Sequence, residues 1–185
     1  MRKIVAANNL AIETVMGDIT DQPDIDIIVN AANAQLTSGG GVAGAIHTKA
    51  GSSLAEECQQ FAPIKPGQAI ITSAHNLPNK YIIHCLGPVF GVDHPEEKLL
   101  ASCYRSALNL AESYATNSIA FPAISTGIFG YPFADAASVC IDVIMKFNGF
   151  KNLNLIRMVL WRRSDYDNFN NVLNEKLYSH QHKQY

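Results

Sequence analysis

The stretch Asn30-Ala-Ala-Asn33, continued by Gly39-Gly-Gly-Val-Ala-Gly44, is one of two glycine-rich segments that decide how this chain folds. The second is Ile124-Ser-Thr-Gly-Ile-Phe-Gly130. Each follows an apolar run typical of a buried strand and precedes a helical pattern. Glycine lets backbone N–H groups approach a ligand closely, and a helix N-terminus favours negative charge. Two such loops in one small α/β domain predict a phosphate-containing ligand held between them.

The composition is typical of a soluble domain. The chain has 185 residues, 48% of them hydrophobic, and we expect one domain over residues 1–178 followed by a polar tail over 179–185. The formal net charge is −2 without a basic block, so duplex nucleic acid is not an expected partner. No apolar run approaches the ~18 residues of a spanning helix. We therefore expect a cytoplasmic monomer without a membrane partner.

The cysteines and histidines show no metal-binding spacing, and we expect neither a metal nor another cofactor. The four cysteines fall inside apolar patterns without a CxxC motif and are interpreted as reduced core residues: Cys58, Cys85, Cys103 and Cys140. His84 lies within a predicted strand and is interpreted as structural. The remaining histidines outside the glycine-rich segments share no ligand spacing: His75, His94, His180 and His182.

Strand and helix patterns alternate along the chain. The predicted strands are Ala11–Met16, Ile25–Val29, Ala69–Ser73, Tyr81–Cys85, 118–122 and Leu155–Leu160. The predicted helices are 42–60, 95–115, 133–147 and 165–178. This order predicts a three-layer α/β/α sandwich with a mixed, mostly parallel central sheet. The turn Asn76-Leu-Pro-Asn79 predicts one antiparallel pair within that sheet.

Five blocks of this sequence resemble the motif series of the macrodomain family, in the same order and at suitable spacing. They are Gly17-Asp-Ile-Thr20, Val29-Asn-Ala-Ala-Asn33, Gly39-Gly-Gly-Val-Ala-Gly-Ala-Ile-His47, Ile83-His-Cys-Leu-Gly-Pro88 and Pro122-Ala-Ile-Ser-Thr-Gly-Ile-Phe-Gly-Tyr-Pro132. The resemblance implies the macrodomain fold, with an ADP-ribose pocket at the carboxyl ends of the strands. Many members of that family remove mono-ADP-ribose from acidic side chains or deacetylate O-acetyl-ADP-ribose, whereas others only bind.

The resemblance assigns the adenine end of the pocket to Asp18, Ile19 and Trp161. Asp18 would accept a hydrogen bond from the adenine amino group, and the Ile19 backbone would contact the neighbouring ring nitrogen. By its residue type alone, Asp18 is equally typical of a turn or helix cap. Trp161 follows an apolar strand, where related macrodomains carry an aromatic residue that stacks on adenine. A tryptophan half-buried at the sheet edge is the alternative.

The same resemblance assigns the ribose and diphosphate contacts to the two glycine-rich segments. Asn33 would hold the distal ribose hydroxyls, because an amide offers both donor and acceptor, while Asn30 shapes the loop. The remaining expected ligand contacts are Gly39, Gly40, Gly41, Val42 and Ala43 in the first segment and Ser125, Thr126, Gly127, Ile128 and Phe129 in the second. The alternatives are that both asparagines form turns, that the second segment is an ordinary strand-to-helix turn, and that Phe129 anchors the loop in the core rather than covering the ribose.

One departure from the family pattern bears on catalysis. MacroD-type hydrolases carry an aspartate where this chain has Ala43, and in this respect the chain resembles the viral-type Gly-Gly-Gly-Val-Ala macrodomains. A water between the distal ribose and the substrate's own phosphate would then attack. The candidate catalytic residues are Asn33, Gly41 and His47, although His47 also fits packing and hydrogen bonding beneath the loop. The expected function is binding of ADP-ribose or mono-ADP-ribosylated protein with ester hydrolysis, the alternative being a reader without turnover.

Overall fold

The protein is built around a seven-stranded sheet in the order β1-β2-β7-β6-β3-β5-β4. A computed structural model describes the backbone of residues 2–5 and 10–181 and the side chains of residues 10–179. The strands are β1 Arg2–Val5, β2 Ala11–Met16, β3 Ile27–Ala31, β4 Ala69–Ser73, β5 Tyr81–Cys85, β6 Ser118–Phe121 and β7 Leu155–Leu160. The helices are α1 Gly41–Ala50, α2 Ser52–Cys58, α3 Glu96–Ser113, α4 Phe133–Lys146 and α5 Arg163–Gln181.

The five inner strands are parallel and the two edge strands are antiparallel. β2, β7, β6, β3 and β5 pair in parallel register, while β1 pairs with β2 and β4 pairs with β5 in antiparallel register. The predicted three-layer sandwich with a mostly parallel sheet is therefore confirmed, including the antiparallel pair at the 76–79 turn. Because the inner strands run in one direction, their carboxyl ends all lie at the same edge of the sheet.

Two apolar cores lie on the two faces of the sheet. In β3, Ile27 and Val29 pack into the core beneath α3, α4 and α5, whereas Ile28 packs into the core beneath α1 and α2. Neighbouring residues of a strand point to opposite faces, so one short apolar strand supplies both cores. Tyr104 and Phe121 are among the largest fully buried side chains, and their rings contact each other.

The structure corrects several predicted boundaries. The helix predicted over 42–60 is two helices, because Gly51 has a φ of +88° and interrupts the hydrogen-bond ladder. The strand predicted as Ile25–Val29 lies two residues later, at Ile27–Ala31. Strand β1 was not predicted at all.

The last helix departs from its predicted range at both ends. Helix α5 runs over Arg163–Gln181 rather than 165–178, so it continues into the segment expected to be a tail. Residues 182–185, including His182, lie outside the described residues, as does the side chain of His180. Among the helices that the structure describes, none is long and apolar enough to cross a lipid bilayer.

Candidate ligand-binding site at the carboxyl edge of the sheet

Four chain segments that carry the predicted site residues meet at the carboxyl edge. Gly17 N donates to Leu160 O at 3.1 Å, which places the 17–22 turn beside Trp161. The loop after β6 comes next in the strand order, followed by the loop after β3, which begins where Ala32 N donates to Cys85 O at 2.9 Å. Along the edge, the order is therefore Asp18, Trp161, the second glycine-rich segment and the first glycine-rich segment.

Asp18 has one carboxylate oxygen engaged in its own turn. Its Oδ1 accepts hydrogen bonds from Thr20 N at 2.8 Å and from Thr20 Oγ1 at 2.6 Å. Oδ2 lies 3.7 Å from Lys49 Nζ on α1. Burial acts to raise the pKa of Asp18, but the Thr20 hydrogen bonds and Lys49 oppose it and leave that pKa below its usual value. The capping role is present, and it leaves Oδ2 as the oxygen that faces a partly exposed space.

Asn33 closes the turn that leads into the glycine-rich segment. Its Nδ2 donates to Thr37 O at 2.8 Å, and its Oδ1 accepts from Thr37 N at 3.1 Å. A Cβ added at Gly39 would lie 3.5 Å from Asn33 Nδ2, so the glycine backbone passes directly over the amide. The turn-forming interpretation of Asn33 is therefore confirmed, and its side chain remains partly exposed.

The N-terminus of α1 is open and carries no negative charge. Gly40 is its N-cap, without a side-chain cap, and the first turn contains no acidic residue. The first amide groups of a helix have no partner within the helix, so they are donors for an anion. Ala43 is buried in this turn. Position 43, where MacroD-type hydrolases carry an aspartate, therefore has no carboxylate in this chain.

The tight approach of Gly44 to the Gly39 carbonyl gives a stability prediction. A Cβ at Gly44 would overlap Gly39 O, a backbone atom that cannot rotate away. Gly44→Ala should lower the free energy of unfolding by about 1–3 kcal/mol despite alanine's better helix propensity. Urea unfolding measures this. Gly127→Ala is the matched control because a Cβ there meets no atom within 4 Å. Equal stability of Gly44→Ala and the wild type would contradict the packing described.

The second glycine-rich segment exposes a row of unused backbone donors. Ser125 has a φ of +67°, and Tyr131 N returns to Ser125 O at 3.0 Å to close the loop. Within the described residues, the amides of Gly127, Ile128 and Phe129 donate to no acceptor. Ile128 is 95% exposed, and a Cβ added at Gly127 would meet no atom within 4 Å. Three successive N–H groups without an acceptor are donors of the kind that bind an anion.

Phe129 is fixed from both sides. Its carbonyl accepts from Phe90 N at 2.9 Å, and its ring packs partly buried against the core beneath α1. Phe90 in turn packs edge-on against Tyr131, with ring centroids 5.0 Å apart. The anchoring interpretation of Phe129 is thus supported by geometry, and the residue is only partly buried.

Trp161 stands in solvent next to the Asp18 turn. It is 74% exposed, so the alternative of a half-buried indole at the sheet edge is wrong. Met16, at the end of the neighbouring β2, is 48% exposed beside it. A large exposed apolar surface next to free polar groups is typical of a surface that a ligand covers.

A buried polar cluster lies beneath the first glycine-rich segment. Asn30 Nδ2 contacts His84 Nδ1 at 3.1 Å, and Thr72 Oγ1 contacts His84 Nε2 at 3.0 Å. The Asn30 amide donates to Nδ1, so the neutral ring carries its proton on Nε2 and donates to Thr72. His47 lies beside His84, with ring centroids 6.5 Å apart. The structural interpretation of His84 fits this arrangement. Asn30 lies within β3 and its amide contacts His84 on the neighbouring β5, so the interpretation of Asn30 as a turn former is wrong, and its side chain is tied to β5 rather than to the loop.

His47 packs beneath the loop as expected but does not form the expected hydrogen bond. The ring is buried, and within the described chain its Nε2 has no partner. Burial lowers its pKa below 6.5, so the ring is neutral at pH 7.

The buried histidine makes stability depend on pH. Burial and the nearby His47 lower the pKa of His84 from 6.5 to about 3, whereas Glu57 acts weakly in the other direction. Between pH 6.5 and about 3, His84 binds a proton in the unfolded chain but not in the folded one. The contribution of neutral His84 to the free energy of unfolding is therefore fully present above pH 6.5 and is lost progressively as the pH falls towards 3. His84 alone should cost about 2–3 kcal/mol between pH 7 and pH 4.5. Urea unfolding at several pH values measures the slope, and an unchanged slope in His84→Gln would contradict it.

Glu57 on α2, in the helices that follow the first glycine-rich segment, is engaged with other partners. Glu57 accepts from Ser73 Oγ at 2.7 Å and pairs with His75 Nε2 at 2.7 Å, which ties α2 to β4.

Among the residues described, no group of three or more His, Cys, Asp or Glu side chains is arranged to hold a metal ion. All four cysteines are buried and unpaired.

Two contacts of Asp18 were not expected from the sequence. Lys49 faces Oδ2, and Gln22 Nε2 donates to the Asp18 carbonyl at 2.8 Å. The position of Lys49 on the last turn of α1 gives no sign of this contact, because only the packing of α1 on the sheet brings it near β2. Gln22 lies four residues after Asp18, and that local spacing was the only available signal.

Comparisons with known proteins show the family of this chain. The family model of the Macro domain matches residues 29–140. The O-acetyl-ADP-ribose deacetylase of Enterobacter sp. (strain 638) is 48% identical over 141 residues, which cover 74% of this chain and 78% of that protein. The chain belongs to the macrodomain family.

Solved macrodomains share the whole fold. The Oceanobacillus iheyensis macrodomain with ADP superposes with a TM-score of 0.90 at 38% identity, covering 96% of this chain and 97% of that one. The Trypanosoma brucei macrodomain in complex with ADP-ribose gives a TM-score of 0.77 at 34% identity, covering 86% and 68%. This macrodomain therefore shares its fold with one protein solved with ADP and with another solved in complex with ADP-ribose.

Proposed function

We propose that this macrodomain binds ADP-ribose and hydrolyses mono-ADP-ribosyl esters on acidic residues, O-acetyl-ADP-ribose, or both. The order of the site segments along the sheet edge carries the proposal. Asp18 and Trp161 lie together at one end, the free amides of 127–129 lie in the middle, and Asn33 with Gly39–Gly41 lies at the other end. In ADP-ribose, the adenine, the diphosphate and the distal ribose follow one another in this order.

The diphosphate suits the middle of the site because of its donors. The amides of Gly127, Ile128 and Phe129 have no acceptor among the described residues, and the first turn of α1 offers further N–H groups and contains no acidic residue. Such donors are already oriented, so they bind negative charge without reorganisation. The related proteins named for the deacetylase and crystallised with ADP or ADP-ribose support this ligand.

Hydrolysis in this site has to proceed without a nearby protein carboxylate. In the proposed mechanism, Asn33 fixes the distal ribose and a water between that ribose and the substrate phosphate adds to the ester. Cleavage then yields ADP-ribose and the free carboxylic acid. A phosphate diester is a weak base, so turnover is slower than with a carboxylate base. His47 is neutral and buried, which makes it a packing residue in this scheme.

A reader without turnover is the second candidate, and Ala43 favours it. Ala43 is the residue at which the chain lacks the aspartate of MacroD-type hydrolases, and it is buried beneath the loop. Time-resolved release of ADP-ribose from a glutamate-modified protein and acetate from O-acetyl-ADP-ribose separates the two candidates. Slow but measurable release supports the enzyme. Tight binding with no release over hours supports the reader, and calorimetry showing no ADP-ribose binding excludes both.

Trp161 provides a test of the adenine end. Because the ring is mostly exposed, Trp161→Ala should leave the thermal unfolding midpoint unchanged. Loss of stacking should weaken ADP-ribose binding by about 1–2 kcal/mol, roughly tenfold. Trp161→Phe is the control and should keep most of the affinity, since a smaller aromatic ring still stacks. Unchanged affinity in the alanine variant, measured by calorimetry, would remove Trp161 from the site.

A further inference from the structure

A buried ion-pair network lies beneath the Asp18 turn, on β2 and β7. Arg157 Nη2 lies 2.8 Å from Glu13 Oε2 and 2.7 Å from Asp24 Oδ2. The side chains of Arg157 and Glu13 are only 10% and 6% exposed, whereas that of Asp24 is 60% exposed. Arg157 and Glu13 are register partners on adjacent strands. The network therefore fixes the guanidinium rigidly relative to the sheet.

The same guanidinium orients Gln22. Arg157 Nη1 donates to Gln22 Oε1 at 2.9 Å and to Asp24 Oδ1 at 2.9 Å, and Nε donates to Glu13 Oε2 at 3.0 Å. Each of the five guanidinium hydrogens thus has an acceptor. Arginine only donates, so the amide oxygen of Gln22 must face it. The NH2 group of buried Gln22 then points the other way, to Asp18 O at 2.8 Å.

The carbonyl of Asp18 and the N–H of Ile19 belong to one planar peptide group. In a trans peptide these two groups point in opposite directions, so holding the oxygen fixes the direction of the N–H. Asp21 N also donates to Asp18 O, at 3.1 Å. The Ile19 side chain is buried in the core beneath α1, and its N–H donates to no acceptor in the described part of the chain.

We propose that Arg157, acting through Gln22, is a positioning residue for the adenine-recognising peptide at Asp18 and Ile19, and that this relay sets the base selectivity of the pocket. The proposal rests on the proposed function, in which Asp18 accepts from the adenine amino group and Ile19 N–H donates to the ring. In hypoxanthine the donor and the acceptor of adenine are exchanged. The base presents an oxygen to the carboxylate of Asp18, where adenine has its amino group, and an N–H to the N–H of Ile19, where adenine has a ring nitrogen. Selectivity therefore depends on how firmly this peptide is held.

The experiment compares the affinities of ADP-ribose and its hypoxanthine analogue by calorimetry. The wild type should bind ADP-ribose about 30-fold or more tightly than the hypoxanthine analogue. The analogue loses the charge-assisted hydrogen bond to Asp18 and places its own N–H against the N–H of Ile19. Gln22→Met has nearly the same shape but neither hydrogen bond, and should reduce the preference by about tenfold. Gln22→Glu keeps the acceptor for Arg157 and loses the donor to Asp18, so it should reduce the preference similarly.

Asn79→Ala is the matched control for loosening of the same segment. Asn79 Nδ2 donates to Gln22 O at 2.9 Å and to Ile25 O at 2.8 Å but does not contact Asp18. This variant should lose stability and keep the wild-type preference. An equal loss of preference in Asn79→Ala, or an unchanged preference in both Gln22 variants, would overturn the relay while the proposed function stands. A wild type that binds ADP-ribose without preference would also overturn it, and a wild type that binds neither ligand would overturn the proposed function itself.

Discussion

Gly127→Glu should abolish ADP-ribose binding while the protein keeps its fold. A Cβ at this exposed position meets no atom within 4 Å, so the backbone accepts a side chain there. The glutamate would place a negative charge at the amides of 127–129, where the diphosphate is proposed to bind. Repulsion and lost N–H contacts together should lower affinity by about 10³-fold or more. Calorimetry measures the binding, and circular dichroism and thermal unfolding check the fold.

Two variants at the same position separate charge from size. Gly127→Gln has the bulk of glutamate without its charge and should keep part of the affinity. Gly127→Ala should bind nearly as the wild type does, because the loop has room for a methyl group. If the charge is the cause, raising the salt concentration should bring the ADP-ribose affinity of Gly127→Glu closer to that of Gly127→Gln. Normal binding by Gly127→Glu would mean that the second glycine-rich segment is not the phosphate site.

Ala43→Asp should raise the rate of ester hydrolysis, by up to roughly 10²-fold, the low end of general-base effects. The position lies in the first turn of α1, where a negative charge is favourable to the helix. It also lies next to Gly39 and hence to Asn33, at the proposed ribose end. The carboxylate would take a proton from the attacking water more readily than a phosphate diester does.

The control for this gain is Ala43→Asn, which has the same shape without a base. It should show no acceleration, and its binding should match that of the wild type more closely than that of Ala43→Asp, whose charge also repels the diphosphate. Rates are measured as ADP-ribose release from a glutamate-modified protein at saturating substrate, with affinity determined in parallel. Equal rates in the Asp and Asn variants would show that the missing carboxylate does not limit turnover.

The glycine-rich segments and the period of the apolar residues were sufficient to predict the layers of the fold. Ile27, Ile28 and Val29 are apolar without alternation, which is typical of a strand buried on both faces, and the structure places them in two cores. The predicted antiparallel pair, Ala69–Ser73 with Tyr81–Cys85, is confirmed at its exact residues because the intervening turn is local. The helix break at Gly51 was missed, since a single glycine fits inside a helical pattern.

The sequence by itself determined six of the seven described strands, to within two residues, and the place of the glycine-rich loops between strand and helix, because these depend on neighbours along the chain. Only the tertiary structure decided how the segments combine. It leaves the 127–129 amides without an acceptor among the described residues, engages one oxygen of Asp18 with Thr20, exposes Trp161 and joins Arg157 to Gln22 across 135 positions. The contact of Arg157 with Gln22 arises from the parallel pairing of β2 with β7 and from the need to satisfy buried polar groups, and no local pattern records either.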